Sequence, residues 1–203
     1  MREFVKSMLA GLAISLGCIV YLSVGGGALG AFLFSIGLLL VIVFKFNLFT
    51  GKVCYISPHP ADMTNIIKIL IGNLLMASVV GTLVRFMKPD LAVIALEISE
   101  NKMAEGLWLI PLAMLCNFMI YFAVEAVRRS GTPQAYLIVI LSVMVFILCG
   151  FEHSIANTCY FAIGGTLCTP NGILYLTMNV VGNAIGGLLI HRMVAYTPLQ
   201  KGW

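Results

Sequence analysis

Apolar residues form long uninterrupted runs along the chain, separated by short polar or glycine-rich segments. A helix needs about 20 apolar residues to cross the hydrocarbon core of a bilayer. Runs of this kind predict six spans, at about residues 5–24, 27–47, 64–87, 104–127, 134–150 and 172–193. A β-barrel would instead alternate polar and apolar residues in short segments. We therefore predict an all-α protein with one transmembrane domain over residues 1–203.

Polar and glycine residues interrupt two of these spans. The second span ends in KFNLFTGK, residues 45–52, and the short apolar piece VCYIS follows. The fifth ends in FEHSIAN, residues 151–157, and TCYFAIGGTL follows. Each pattern is typical of a half-helix, a break and a second half-helix. Broken backbone at membrane depth is tolerated only where it is buried in protein or lines a cavity.

The two interruptions lie in corresponding places in the two halves of the chain. The helix after each carries a Gly-Asn pair, Gly72-Asn73 and Gly182-Asn183, and the pairs are 110 residues apart. Thr50 and Asn157, near the two breaks, are 107 residues apart. Three spans per half is an odd number, so the halves must run in opposite directions. We predict an inverted 3+3 repeat, about residues 1–88 and 100–195, in which interrupted segments mark the substrate path.

Composition agrees with a membrane protein. The chain is 61% apolar and only 10% charged, whereas soluble domains carry about 25% charged residues. The N-terminal run is long enough to span and has no clear small-residue cleavage site, so we expect a first helix rather than a cleaved signal peptide. The net charge of +4 is spread along the chain and does not indicate nucleic-acid binding.

Basic residues near the ends of the spans predict that both termini are cytoplasmic. In that orientation three basic residues lie outside: Arg85, Lys88 and Lys102. Eight lie inside: Arg2, Lys6, Lys52, Lys68, Arg128, Arg129, Arg192 and Lys201.

The six cysteines form no CxxC pair, and most lie in apolar runs. We expect them to pack as small apolar residues rather than to build a metal site or a disulfide framework. We expect no metal and no cofactor.

His153 is the strongest candidate for pore chemistry. An imidazole has an ordinary pKa of about 6.5 and can exchange a proton near neutral pH. Ionisable groups inside a membrane are costly and usually face a cavity or a partner. The alternative is a neutral histidine that is hydrogen-bonded to a neighbouring helix and serves only for packing. Its neighbour Glu152, with Asn157, is expected to stabilise the break.

Two further polar residues fall in apolar surroundings. Thr50 lies at the first break, where its hydroxyl can serve a pore ligand or only cap a helix. Asn117 is a single amide in the otherwise apolar fourth span. It can form an interhelical hydrogen bond or face a pore, and the sequence leaves both open.

Three motifs together, FEHSIAN, LFTGK and LCNFMIYFAVEA, resemble the formate/nitrite transporter family. The resemblance covers nearly the whole chain. It implies an aquaporin-like fold with the second and fifth helices broken, assembled as a homopentamer with one pore in each protomer. It also implies a channel in the cell membrane for small monovalent anions or their conjugate acids: formate, nitrite, hydrosulfide, acetate or lactate.

The same resemblance assigns roles to individual residues. His153 is the central pore histidine, Thr50 the hydroxyl that bonds it, and Asn117 the amide that faces the same site. Lys102 is a basic residue at the outer end of the fourth span. The apolar constrictions fall on four residues: Phe34, Leu38, Leu48 and Phe146.

The chain departs from the family pattern around the first break. Asn47 stands where the family commonly has an acidic residue, and Lys52 stands where it commonly has asparagine. Lys45 stands where the family has a small residue. Lys45 and Lys52 would attract an anion, or else extend to the membrane surface. The chain also begins almost directly at its first span, without the amphipathic helix usual in the family, and has a short tail; these departures bear on gating.

Three other functions compete with an anion channel. An aquaporin-like channel for neutral solutes would carry Asn-Pro-Ala tripeptides at the breaks, and the sequence has none. A non-conducting structural membrane subunit would not need His153. A membrane enzyme would need a second convergent catalytic group, so we expect no enzyme activity.

Overall fold

The computed structural model describes residues 1–197 as α-helices, short 3₁₀ turns and loops. The chain follows the order α1 (Arg2–Ser23), α2 (Gly27–Val43), α3 (Phe49–Lys52), α4 (Pro60–Met87), α5 (Pro89–Met103), α6 (Leu109–Ser130), α7 (Pro133–Leu148), α8 (Ser154–Gly164) and α9 (Pro170–Tyr196). The 3₁₀ turns are Val53–Tyr55 after α3 and Gly106–Trp108 before α6. Lys201, one of the basic residues used for orientation, lies outside the described residues.

Four helical segments in the described residues are long and apolar enough to cross a membrane. They are Arg2–Ser23, Pro60–Met87, Gly106–Ser130 and Pro170–Tyr196. The helices Gly27–Val43 and Pro133–Leu148 are apolar but shorter, because each ends where an interruption begins. The chain is thus a multi-pass membrane protein.

Local sequence explains where the helices begin and end. Four of them begin with a proline, whose missing N–H is not needed in the first turn. Gly131 and Gly165 follow α6 and α8 in the left-handed conformation, with φ of 60° and 83°, which glycine adopts without strain. Lys45, just after α2, is left-handed without being glycine, at φ 55°.

The helix α5 was not predicted from the sequence. Its buried residues Leu91, Ala95 and Ser99 recur every four positions, and this face packs against α8. The stripe is small and lies among acidic residues, so the segment shows no long apolar run and fell outside the six predicted spans.

Packing follows the same scheme in the two halves. In the first, α1 packs against α2 and α4; in the second, α6 packs against α7 and α9. Across the halves, α2 meets α7, α4 meets α8, and α9 meets the 3₁₀ turn after α3. The two short elements α3 and α8 are therefore enclosed by longer helices. All six cysteines are free; Cys149 and Cys168 are exposed, contrary to the expectation of packing, and the other four are buried.

Glycines allow the long helices to approach closely, as expected in lipid. A Cβ at Gly11 of α1 would lie 2.5 Å from the carbonyl oxygen of Asn73 in α4. In the other half, a Cβ at Gly186 of α9 would lie 2.5 Å from the Cα of Met114 in α6.

Replacing Gly186 with alanine is expected to lower the free energy of unfolding by about 1–3 kcal/mol, because backbone must move to admit the methyl group. Thermal unfolding of the detergent-solubilised protein measures it. Gly51→Ala is the matched control, since its new Cβ would meet only Val124 Cγ2, at 3.6 Å. Equal melting temperatures for the two variants would contradict the close packing.

Candidate functional site

The asparagine Asn183 holds the second break together. Its Oδ1 accepts from the backbone N–H of Ser154, the first residue of α8, at 2.9 Å. Its Nδ2 donates to the carbonyl oxygens of Glu152 and Ala113, both at 2.8 Å. The side chain is fully buried. It therefore pairs the Ser154 N–H and the Glu152 carbonyl, which the break leaves without helical partners, and joins them to the Ala113 carbonyl of α6.

Asn73 does the same at the first break. Its Oδ1 accepts from the N–H of Phe49, the first residue of α3, at 2.7 Å. Its Nδ2 donates to the carbonyl oxygens of Asn47 at 2.9 Å and Ser7 at 2.7 Å. The two amides thus occupy equivalent positions.

These hydrogen bonds refine the correspondence between the breaks. Phe49 and Ser154 have the same role and are 105 residues apart, whereas the sequence paired Thr50 with Asn157. The repeated Gly-Asn pair was visible in the sequence, but no role was assigned to Asn73 or Asn183. Both amides bind backbone of other elements, up to 70 residues away, and only the fold reveals those partners.

The two breaks meet at Thr50 and His153. Thr50 Oγ1 and His153 Nε2 are 3.1 Å apart, and both side chains are buried. His153 also caps α8, because its Nδ1 accepts from the backbone N–H of Ala156 at 3.2 Å. Its ring stacks on Phe146, with centroids 5.8 Å apart.

The partners of His153 define its tautomer when the ring is neutral. A backbone N–H can only donate, so Nδ1 is the acceptor of the bond from Ala156, and Nε2 carries the hydrogen. Nε2 then donates to Thr50 Oγ1. The hydroxyl hydrogen of Thr50 is left free to donate to another acceptor, so an anion near this pair meets the threonine hydroxyl rather than a free imidazole N–H.

A cavity, here named the His153 chamber, opens on one side of this pair. Its volume is about 120 Å³, which is enough for a few water molecules or a small anion. Three polar residues contribute to its lining: Lys102, His153 and Asn157. Aromatic rings form much of the rest, including Tyr21, Phe34, Phe146 and Phe151.

A larger cavity, here named the Lys52 chamber, has a volume of about 580 Å³. Its wall is mainly apolar and contains three basic residues, Lys45, Lys52 and Arg128. Gly51 also lines it. Thr50 itself lines neither chamber, but it precedes Gly51 in the chain and contacts His153, so the Thr50–His153 pair lies between a lining residue of one chamber and a lining residue of the other.

The four residues expected at apolar constrictions divide between the chambers. Phe34 and Phe146 line the His153 chamber and contact each other edge to face, with centroids 6.0 Å apart. Leu38 and Leu48 line the Lys52 chamber. All four side chains are buried.

Glu152 binds Asn157 at the break and also Lys102, a basic residue far away in the chain. It is fully buried, and its Oε1 forms an ion pair with Lys102 Nζ at 2.6 Å. Its Oε2 accepts from Asn157 Nδ2. From the sequence we expected Glu152 and Asn157 to stabilise the break and treated Lys102 as a separate basic residue, because no local motif indicates a pair separated by 50 residues.

Asn117 forms an interhelical bond. Its Nδ2 donates to the carbonyl oxygen of Thr50 at 2.9 Å and to Cys54 Sγ at 3.4 Å, while its buried Oδ1 has no partner in the described structure. Asn117 therefore stabilises the position of α3 by its hydrogen bond to the backbone of Thr50. It is absent from the linings of both chambers.

The departures at the first break have distinct surroundings. Asn47 is buried, and its Nδ2 donates to Glu3 of α1 at the carboxylate (2.9 Å) and the carbonyl oxygen (3.2 Å). Asn47 thus ties the break to the start of α1. Lys45 and Lys52 are exposed at the wall of the Lys52 chamber.

A second polar cluster, missed by the sequence analysis, lies beside α3. Tyr55 Oη donates to Glu125 Oε2 at 2.7 Å, and both Arg128 and Arg129 form ion pairs with Glu125. The ring of His191 packs edge-on against Tyr55, with centroids 4.9 Å apart. The cluster fastens the end of the α3 segment to α6.

Comparison with known proteins identifies the family. The family model described as formate/nitrite transporter matches residues 1–197. The uncharacterized transporter YwcJ of Bacillus subtilis is 29% identical over 136 residues, which are 63% of this chain and 53% of that protein. The nitrite transporter NirC of Salmonella typhimurium is 26% identical over 79% of this chain and 67% of its own length. The chain therefore spans about half to two thirds of the curated relatives it matches.

Solved structures share the fold. A pentameric formate channel with formate bound superposes with a TM-score of 0.84 at 24% identity, covering 96% of this chain and 95% of that one. An ion channel of the same family superposes with a TM-score of 0.83 at 25% identity, covering 97% and 90%. The match of the family model to nearly the whole described chain confirms the resemblance seen in the three motifs: the chain belongs to the formate/nitrite transporter family.

Proposed function

We propose that this protein is a membrane channel or transporter for small monovalent anions or their conjugate weak acids. The class comprises formate, nitrite, hydrosulfide, acetate and lactate. The single observation that carries the proposal is the buried Thr50–His153 pair, 3.1 Å apart, between two chambers. The similarity to a nitrite transporter and to a channel solved with formate bound supports the same class.

The architecture proposed for this function has six spans in an inverted 3+3 repeat, with one transmembrane domain over residues 1–203. Helices α2 and α7 would be the first halves of the two broken spans. The equivalent bonds of Asn73 and Asn183 support the repeat. A homopentamer with one pore in each protomer follows the pentameric formate channel. The protein would lie in the cell membrane with both termini in the cytoplasm, as the distribution of basic residues predicts.

An apolar constriction is a large barrier to an anion but only a small barrier to a neutral acid. Desolvating a monovalent anion costs several kcal/mol even after the protein relaxes. Phe34 with Phe146, and Leu38 with Leu48, are the proposed constrictions, and their buried side chains offer an anion no hydrogen bond. Protonation removes the charge, so the neutral acid passes at much lower cost.

Each polar residue has a defined part in this proposal. Lys102 attracts the anion into the His153 chamber, although its pairing with Glu152 leaves only part of its charge effective. The Thr50 hydroxyl donates to the anion in the middle of the path. His153 donates to Thr50, and it polarises the hydroxyl or passes a proton through it. Lys45 and Lys52 raise the anion concentration in the other chamber by electrostatic attraction.

The experiment is a panel of fluxes in proteoliposomes, measured by stopped flow at several pH values. The panel contains formate, nitrite, hydrosulfide, acetate and lactate, with glycerol as the neutral solute. We expect flux of one or more weak acids above the protein-free background and none of glycerol. Glycerol flux without acid flux would favour an aquaporin-like channel, and no flux at all would favour a structural subunit; either result would overturn the proposal.

A further inference from the structure

The carboxylate of Glu152 adjoins a polar cluster to which the pore mechanism assigns no role. Glu105 lies at the turn before α6, where its backbone N–H donates to the carbonyl oxygen of Lys102, the partner of Glu152, at 3.1 Å, and Tyr175 lies on α9. Asn179 follows one turn after Tyr175 on α9, and both side chains are buried. These residues come from two separate parts of the chain, the turn before α6 and the helix α9.

Several polar atoms of this cluster are buried without a hydrogen-bond partner in the described structure. They are Glu105 Oε2, Tyr175 Oη, Asn179 Nδ2 and Asn179 Oδ1. Asn179 is 0% exposed and Tyr175 4% exposed. An unpaired buried polar group costs about 1–3 kcal/mol, so several together indicate an occupant that supplies the missing bonds.

Water is the occupant that fits these atoms. A cavity of about 260 Å³ is lined by Tyr175 and by Gly106 and Met178, the chain neighbours of Glu105 and Asn179. Buried water needs a polar site with two to four partners, and the cluster offers donors and acceptors together. Hydrogen-bonded water between acidic groups also lets a proton move among them.

The charges of the cluster do not balance when both carboxyls are ionised. Glu105 and Glu152 then face one cation, Lys102, which is 2.6 Å from Glu152. The other titratable groups facing these charges are the Tyr175 hydroxyl from α9 and the buried Cys116 thiol from α6. Glu105 precedes the apolar span Gly106–Ser130. Burial, and then the charge of Glu152, raises the pKa of the Glu105 carboxyl.

We propose that Glu105, Tyr175 and Asn179 form a hydrated proton-binding site that controls anion access to the His153 chamber through the charge beside Lys102. With Glu105 ionised, an extra negative charge lies near Lys102 and repels the anion. With Glu105 protonated, Lys102 and Glu152 balance, and the anion is admitted more readily. Proton and anion therefore favour each other's binding, which is reciprocal by linkage. The inference rests on the proposed function, since it concerns access to the same pore.

The test measures formate influx against formate concentration, in proteoliposomes, from external pH 5.5 to 8.5. It compares wild type, Glu105→Gln and the control Glu100→Gln, which removes an exposed carboxylate from α5. A unit charge about 10 Å away at intermediate dielectric changes anion affinity about fourfold. We expect KM of Glu105→Gln to equal that of wild type at low pH and to be about fourfold lower at high pH, whereas Glu100→Gln follows wild type throughout.

A ratio of wild-type to Glu105→Gln KM that stays constant over the pH range would overturn the inference, as would an equal effect of Glu100→Gln. If Glu105→Gln fails to assemble, Glu105→Asp replaces it, because it keeps the titrating group. The Glu105→Asp variant should retain the pH dependence of KM with a displaced midpoint. A pH-independent KM in this variant would contradict the inference that residue 105 binds the controlling proton. Absence of flux in wild type at every pH is a different result, because it overturns the proposed function itself.

Discussion

Replacing His153 with alanine is expected to reduce formate flux by about 10- to 100-fold at neutral pH. The variant loses the Nε2–H bond to Thr50 and the capping bond to Ala156. Each of these hydrogen bonds between neutral groups contributes about 0.5–1.5 kcal/mol, and 1.4 kcal/mol corresponds to a factor of ten. The Thr50 hydroxyl then has to donate to the anion without itself accepting a hydrogen bond from His153. Stopped-flow flux in proteoliposomes from pH 5.5 to 8.5 measures the change.

Two variants make the His153 result specific. His59→Ala removes an exposed histidine outside both chambers and should leave flux unchanged. His153→Asn retains a polar side chain at the break, but it cannot exchange a proton, so its remaining flux should vary with pH only as the fraction of neutral acid does. Unchanged flux in His153→Ala at every pH would show that the imidazole only packs.

The second large effect is expected for Asn183→Ala. The change leaves the Ser154 N–H and the carbonyl oxygen of Glu152 without partners in a buried site, and it removes the bond to the Ala113 carbonyl that joins the break to α6. At about 1–3 kcal/mol for each unpaired buried group, partly offset by relaxation, stability should fall by about 3–5 kcal/mol. Because α8 begins at Ser154, the orientation of His153 should also be lost, and flux with it. Asn73→Ala should behave in the same way.

Thermal unfolding in detergent, followed by size-exclusion chromatography, measures the loss for Asn183→Ala. The control is Asn171→Ala, an exposed asparagine in the first turn of the same helix, for which we expect a change within about 0.5 kcal/mol. A melting temperature for Asn183→Ala close to that of the control, with normal flux, would show that the break is held by packing alone.

Much of this fold was predictable because a bilayer fixes the length and apolar character of its helices. The apolar runs placed α1, α4, α6 and α9 within a few residues of their observed positions, and the polar interruptions indicated where α2 and α7 end. The helix α5 was missed, because its apolar stripe of Leu91 and Ala95 is too short to distinguish from a connecting loop. Helical periodicity is a weak signal when the buried face is one residue wide.

The candidate site was predictable only in part. Sequence analysis placed Thr50 and His153 at matching interruptions, and the fold brings their side chains to 3.1 Å. It did not place Lys102 against Glu152, nor Asn117 behind α3, because these contacts join residues 50 or more positions apart. The family resemblance named Asn117 as a residue that faces the site, whereas the structure has it bonded to the backbone of Thr50.

The central claim is that anions cross the constrictions as neutral acids, so that each anion travels with a proton. The most direct measurement follows internal pH and membrane potential together in proteoliposomes given an inward formate gradient, with protein-free vesicles and His153→Ala as references. The account predicts internal acidification faster than in both references, at a rate independent of an imposed membrane potential. Formate uptake that follows the imposed potential without acidification would contradict it.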